Sequence, residues 1–166
     1  GIDADVTLIP SDFFELAGAF VYVKAKYDRY IDIRNGVTVD LSGTVFPYVP
    51  KIKYDIRATI HLPVDKKYGE ISITGDYAWE DIKYNTSIIA PKPVDTNEAM
   101  TNLKVTLNWK DVGGYNGLDL AVYGTNLTNE IWDTGVVSVY NTALGFHSQG
   151  VLRPRTWGAR VKYTFN

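Results

Sequence analysis

Seven stretches of this chain alternate apolar and polar residues, and in each the apolar row is free of charge except at strand ends. They lie at about residues 1–9, 13–27, 50–63, 70–81, 99–110, 117–126 and 154–165. A period of two is the repeat of a β-strand, whose side chains point to opposite faces in turn. Taken at alternate positions, the uncharged rows run from Ile2 to Leu8, Phe14 to Tyr22, Ile52 to Leu62, Ile71 to Trp79, Leu103 to Trp109, Leu118 to Gly124 and Trp157 to Phe165. The other parity carries Asp3, Asp5, Glu15, Lys51, Lys53, Asp55, Arg57, Asp76, Glu80, Lys104, Asp119, Arg160 and Lys162. Charge returns to the apolar parity only at strand ends, at Lys24, Lys26, Asp81 and Arg155. The second stretch sorts least well, because "AGAFVYV" is apolar on both parities. Such a chain must fold with one face in an apolar medium.

That medium is either a second protein layer or lipid. A soluble β-sandwich also keeps charge off its inner face. Two features favour lipid. Several runs reach about ten to fourteen residues, whereas soluble strands average about 5–6 and a tilted bilayer-crossing strand needs about 9–11. The rows also end in rings: Phe14 and Tyr22, Tyr77 and Trp79, Trp109, Trp157 and Phe165. Aromatic rings favour the headgroup level, so two belts of them mark the two interfaces of a membrane barrel. An outward Arg or Lys at mid-bilayer costs roughly 2–4 kcal/mol, which explains the purity of the row. Backbone in lipid must be fully paired, so such a sheet has to close. Bacterial single-chain barrels use an even number of strands. The expected fold is therefore an all-β, antiparallel up-and-down meander forming part of a transmembrane β-barrel, about seven strands of a larger one.

The connections support a meander. "PSD", "VDKKYG" and "DVGGYN" are short, and residues 28–49, 82–98 and 127–153 are long, in strict alternation. Strands that rise and fall between two different surroundings give this pattern. The net charge of −2 over 166 residues supplies no field for nucleic acid. With no cysteine, there is no disulfide framework, thiolate metal site or Cys nucleophile. No stretch approaches the roughly 18 apolar residues of a membrane-crossing helix. "GIDADVTLIP" has neither the basic start nor the apolar run of a signal peptide. It opens inside a strand without an initiator Met, so the chain is expected to be a segment of a longer protein.

Catalytic signals are weak. His61 shares a face with Arg57 and reads as a wall residue of the polar face, with contact to a ligand as the sharper alternative. His147 and Ser148 adjoin, but a nucleophile and its base need geometry and an orienting acid, which adjacency does not supply. Asp3 and Asp5 share a face and could hold a hard cation with further oxygens; pairing with Lys51, Lys53 or Arg57 is the plainer expectation. "GGYNG" leads into a strand rather than a helix, so it reads as a turn and not a phosphate cradle. No catalytic residue, resident metal or cofactor is expected.

Four stretches together resemble a known family. They are "GIDADVTLIPSDFFELAGAFVYVKAKYD", "FPYVPKIKYDIRATIHLP", "GLDLAVYGTNLTNEIWD" and "RPRTWGARVKYTFN". In this order they are similar to the C-terminal part of the barrel of TonB-dependent outer-membrane receptors, over nearly all of residues 1–166. The resemblance implies a barrel of about 22 strands, with these seven as its last. It places the short turns in the periplasm and the long loops outside the cell. A plug domain and a TonB-contacting segment would lie upstream. Gly158, Val161, Tyr163 and Phe165 fit the terminal recognition signal read by the barrel-assembly machinery, although Asn166 follows where the family usually ends on the aromatic. Partners implied are outer-membrane lipid, that machinery, the TonB complex through the plug, and a small ligand such as a ferric siderophore, with no nucleic acid.

In that family the extracellular loops share in holding ligand. The loops and their margins offer Arg29, Tyr30, Trp132, Tyr140 and His147 as ligand-binding candidates, with Tyr27, Asp28, Tyr84 and Phe146 beside them. Rings and guanidinium groups suit anionic or aromatic siderophores, and equally glycans. A soluble β-sandwich or barrel that binds carbohydrate is the alternative; a small outer-membrane enzyme or porin closed by self-association is a third. The sandwich would bring Ile56, Leu107 and Val161 together in one dry centre.

Overall fold

The computed structural model describes residues 1–34, 36–84, 96–97, 99–138 and 146–165. In chain order the strands are β1 (Ile2–Ser11), β2 (Phe14–Tyr22), β3 (Ile31–Arg34), β4 (Val37–Asp40), β5 (Ile52–His61), β6 (Glu70–Glu80), β7 (Lys83–Tyr84), β8 (Thr96–Asn97), β9 (Met100–Lys110), β10 (Leu118–Thr125), β11 (Asp133–Ser138), β12 (His147–Val151) and β13 (Thr156–Tyr163). Seven of them, the ones the alternation predicts, form one antiparallel sheet in the order β1-β2-β5-β6-β9-β10-β13. Each long strand lies beside the previous one, so the sheet is an up-and-down meander. It does not close: β1 and β13 are its two edges.

The register keeps the two rows apart. Leu16 stands opposite Ala58, Ile56 opposite Tyr77, Ile73 opposite Leu107, Leu107 opposite Val122 and Leu120 opposite Val161. Uncharged side chains thus meet uncharged side chains from one edge of the sheet to the other. Since the period is two, a slip of one residue in any pairing would bring charges onto this face. Nothing among the described residues covers it: Ile56 is 46%, Leu107 40% and Val161 69% exposed. The second layer that a sandwich requires is absent among the described residues.

Two belts of rings border the apolar face. At the end that bears the long connections, the loop end, stand Tyr22, Tyr54, Tyr77, Trp79 and Trp157, with the Tyr54 and Trp79 rings stacked at 5.3 Å. At the turn end stand Phe14, Trp109 and Tyr163, with Phe165 edge-on to Tyr163 at 4.7 Å. The turn end is tied together by backbone. The Trp109 indole N–H donates to the Tyr68 carbonyl at 2.6 Å, and the 3-10 turns Lys66–Tyr68 and Val112–Gly114 lie against each other. Gly69 has a φ of 87° and sits against the Lys110 carbonyl, a place where any side chain would collide.

The pairing of β10 with β13 interlocks. Gly124 stands opposite Trp157 on the apolar face, and Gly158 stands opposite Tyr123 on the polar one. A Cβ on Gly124 would come within 2.6 Å of the Trp157 ring, and a Cβ on Gly158 within 2.4 Å of the Tyr123 Cζ. Each glycine is the seat of the ring across from it. Gly158→Val should displace Tyr123 and cost about 1–3 kcal/mol, read as a lower urea midpoint of the folded protein; an unchanged midpoint would refute the seating.

The strand layout departs from expectation in two places. β2 ends at Tyr22 rather than running to 27, because ladder pairing stops there. The chain continues extended on a Val23 N–H to Lys51 carbonyl bond of 2.9 Å and a lone bridge between Lys26 and Val45. The long connections, expected as loops, contain two-stranded ribbons: β3 with β4, β7 with β8, and β11 with β12.

Candidate functional site

The polar parity lines a trough. The sheet curves towards this face, leaving a concavity of about 950 Å³ bounded by residues from β2 round to β13, including Glu15, Arg57, Asp76, Lys104 and Arg160. Its charges pair across strands. Asp76 accepts from Arg57 Nε at 2.5 Å and lies 3.9 Å from Lys104 Nζ. His61 Nε2 is 3.2 Å from Glu15 Oε1, and the Thr59 and Thr74 hydroxyls are 3.1 Å apart. Lys162 is 4.0 Å from Asp119. Such pairs in water are worth little in stability. They mark the face that gathers the polar and charged groups of the sheet.

The expected pairing of Asp3 and Asp5 with Lys51, Lys53 or Arg57 does not form. β1 lies beside β2, where Asp3 faces Val21 and Asp5 faces Ala19. Lys53 turns instead to Glu80 at 3.9 Å, and Glu80 is also bound by Lys83. Among the described residues no group of three or more His, Asp or Glu gathers where a metal ion could be held.

The loop end carries the ligand-binding candidates. Arg29 and Tyr30 lie in the first long connection and Trp132 and His147 in the third. Tyr30 is fixed on both sides: its N–H donates to Ser42 Oγ at 3.0 Å and its carbonyl accepts the Leu41 N–H at 2.7 Å. Its ring lies 4.6 Å from that of Tyr27, which stacks on Phe46 at 4.2 Å. Phe46 is a ring that the sequence reading missed; its place in "FPY", beside Pro47, was the available signal. The Ser42 hydroxyl and backbone N–H beside Asp40 hold its carboxyl below the ordinary carboxylate value, with a smaller contribution from the Arg29 charge.

Trp132, a ligand-binding candidate of the third loop, is buried at the root of that loop. It is 6% exposed, and its indole N–H donates to Glu130 Oε2 at 3.1 Å. It packs the root of the third loop. Asn126 organises the same root with a left-handed φ of 49°. Its Nδ2 donates to the carbonyls of Glu130 and Arg153 at 2.8 and 3.2 Å, and its Oδ1 accepts the Glu130 N–H at 3.1 Å. His147 is the first residue of β12, where its backbone pairs with Ser138. Tyr140 lies outside the described residues. No hydrogen bond or ring contact among the described residues joins the first-loop candidates to those of the third.

Of the residues expected to form an assembly signal, Gly158, Val161 and Tyr163 lie on β13, and Phe165 follows it, 85% exposed. Pairing runs past the strand through the Thr164 N–H, which donates to the Gly117 carbonyl at 2.8 Å. The outer edge of β13 has no partner strand among the described residues.

Trough, belts and bare apolar face together define an open antiparallel β-meander with one uncharged and one polar face. Among solved structures it is similar to the ferric yersiniabactin uptake receptor FyuA from Yersinia pestis, with a TM-score of 0.74 and 13% identity, over 99% of this chain and 23% of that chain. At that identity the likeness is one of fold, and this chain spans less than a quarter of the receptor's length. No family model and no curated protein matches the sequence.

Proposed function

We propose that residues 1–166 are the C-terminal part of the barrel of a TonB-dependent outer-membrane uptake receptor. The observation that carries this reading is the uncharged face running unbroken and uncovered from β1 to β13, bordered by rings at both ends. Hydrocarbon is the medium such a face requires, and the paired charges behind it suit a lumen filled by water and a plug. The fold likeness to an uptake receptor supports the same reading. The loop end is then extracellular and the turn end periplasmic. The segment supplies wall, loops and assembly signal, while a plug outside it couples to the TonB complex. β13, open along one edge, suits pairing with the assembly machinery and afterwards with the barrel's first strand.

A ferric siderophore is the proposed ligand, met by Arg29 and Tyr30 on the Phe46–Tyr27–Tyr30 stack, with Tyr140 and His147 contributed by the third loop. Rings and a guanidinium at an exposed rim offer cation–π, stacking and anion contacts to a flat, charged chelate. The full-length protein should fractionate with the outer membrane and restore growth on one iron chelate. Arg29→Ala with Tyr30→Ala should cut uptake roughly tenfold at equal surface amount, the effect of losing one or two central contacts. Uptake equal to the unmodified protein would remove these two residues from the site; a soluble full-length protein would remove the whole reading.

A further inference from the structure

Just past Tyr22 the apolar parity turns cationic, at Lys24 and Lys26. The first long connection folds back beside this segment, and the Asp81 N–H bonds the Ile52 carbonyl at 2.9 Å on the far side. Between them lies a recess of about 480 Å³. Lys24, Lys26 and Lys51 line it, with Tyr22, Val45 and Val49 as apolar surface. Lys51 belongs to the polar parity, yet its Nζ lies over the Tyr22 ring, 6.0 Å from the centroid. Its amine therefore reaches round to the apolar side. Lys24 and Lys26 are exposed and have no ion-pair partner among the described residues. Asp81 also lines the recess, with one carboxylate oxygen already accepting the Ile82 N–H at 2.8 Å. Among the described residues that line the recess, three cations stand against one carboxylate.

We propose that this recess binds the phosphate-bearing head group of an outer-leaflet lipid. The proposal rests on the membrane reading above, which puts Tyr22 at the hydrocarbon boundary and the three amines one step beyond it. Phosphates of membrane lipids lie at that level, where lysines attract them and aliphatic stems stay against apolar surface. A soluble anion would use the amines alone. A lipid also uses the apolar lining, where Val45 and Val49 would meet the carbons next to the phosphate.

The test uses the full-length protein in detergent, titrated with mixed micelles of a bisphosphorylated glycolipid, the same lipid without phosphate, and inorganic phosphate. The protein should hold the phosphorylated lipid at least about tenfold more tightly than the dephosphorylated one. The K24Q/K26Q/K51Q variant should lose that preference while keeping the migration shift of a folded barrel. If the triple variant does not fold, K26Q alone, at an exposed position, carries the comparison with a smaller loss. Equal binding of the two lipids, or a preference unchanged in the variant, overturns the proposal. Inorganic phosphate that competes as well as the lipid overturns it too, in favour of a free anion. Fractionation separates the two readings: a protein in the outer membrane without lipid preference loses this site alone, and a soluble protein loses both.

Discussion

Leu107→Arg should destabilise the protein in lipid vesicles by about 2–4 kcal/mol, while Thr106→Arg, one residue earlier, should change stability by less than about 1 kcal/mol. Leu107 sits near the middle of β9, between Ile73 and Val122 on the neighbouring strands. It is 40% exposed with no protein layer over it among the described residues. An arginine there enters hydrocarbon. Thr106 points into the trough between Thr74 and Tyr123, where Asp76 and Lys104 already share the space. Urea titration in vesicles measures both. Equal stability of the two variants would mean that the uncharged face does not touch lipid. The same pair in detergent should show a smaller gap, since a micelle deforms round a charge more readily than a bilayer.

Asn126→Ala should cost about 2–4 kcal/mol and open the third loop to protease. Asn126 is 3% exposed, so its amide is not replaced by water when removed. The carbonyls of Glu130 and Arg153 and the N–H of Glu130 would each lose a partner. Alanine also tolerates a φ of 49° less well than asparagine, which adds to the loss. Asn126→Asp keeps the acceptor and the backbone preference but loses both N–H donors, so it should fall between. Stability and cleavage equal to the unmodified protein would show that the loop root is held by Trp132 and its contacts alone.

The strands and their faces were legible because alternation is a local property. Each residue from Ile71 to Trp79 declares its side without reference to any other strand, and seven such declarations fix a sheet. The ribbons within the loops show where this runs short. β3 and β4 are joined at Asn35 and Gly36 in "IDIRNGVTVD", the strongest short hairpin signal there is. Its brevity hid it inside a long polar connection. β11 and β12 pair with each other without a short Asn-Gly signal between them in the sequence. At the rim, Arg29 and Tyr30 could be picked out by residue type, but burial could not: Trp132 looks like a ligand contact in sequence and is enclosed in the fold. The Asn126 node was invisible because one of its partners, Arg153, is 27 residues away.

The seats at Gly124 and Gly158 bear on how the final strand finds its place. Sliding β13 by two residues would preserve which face is greasy, so sorting by polarity cannot reject that mistake. Trp157 would then meet Val122 or Asn126 in place of a glycine, and Tyr123 would lose its socket. The β10–β13 pair thus carries a notch on each side that only one alignment satisfies.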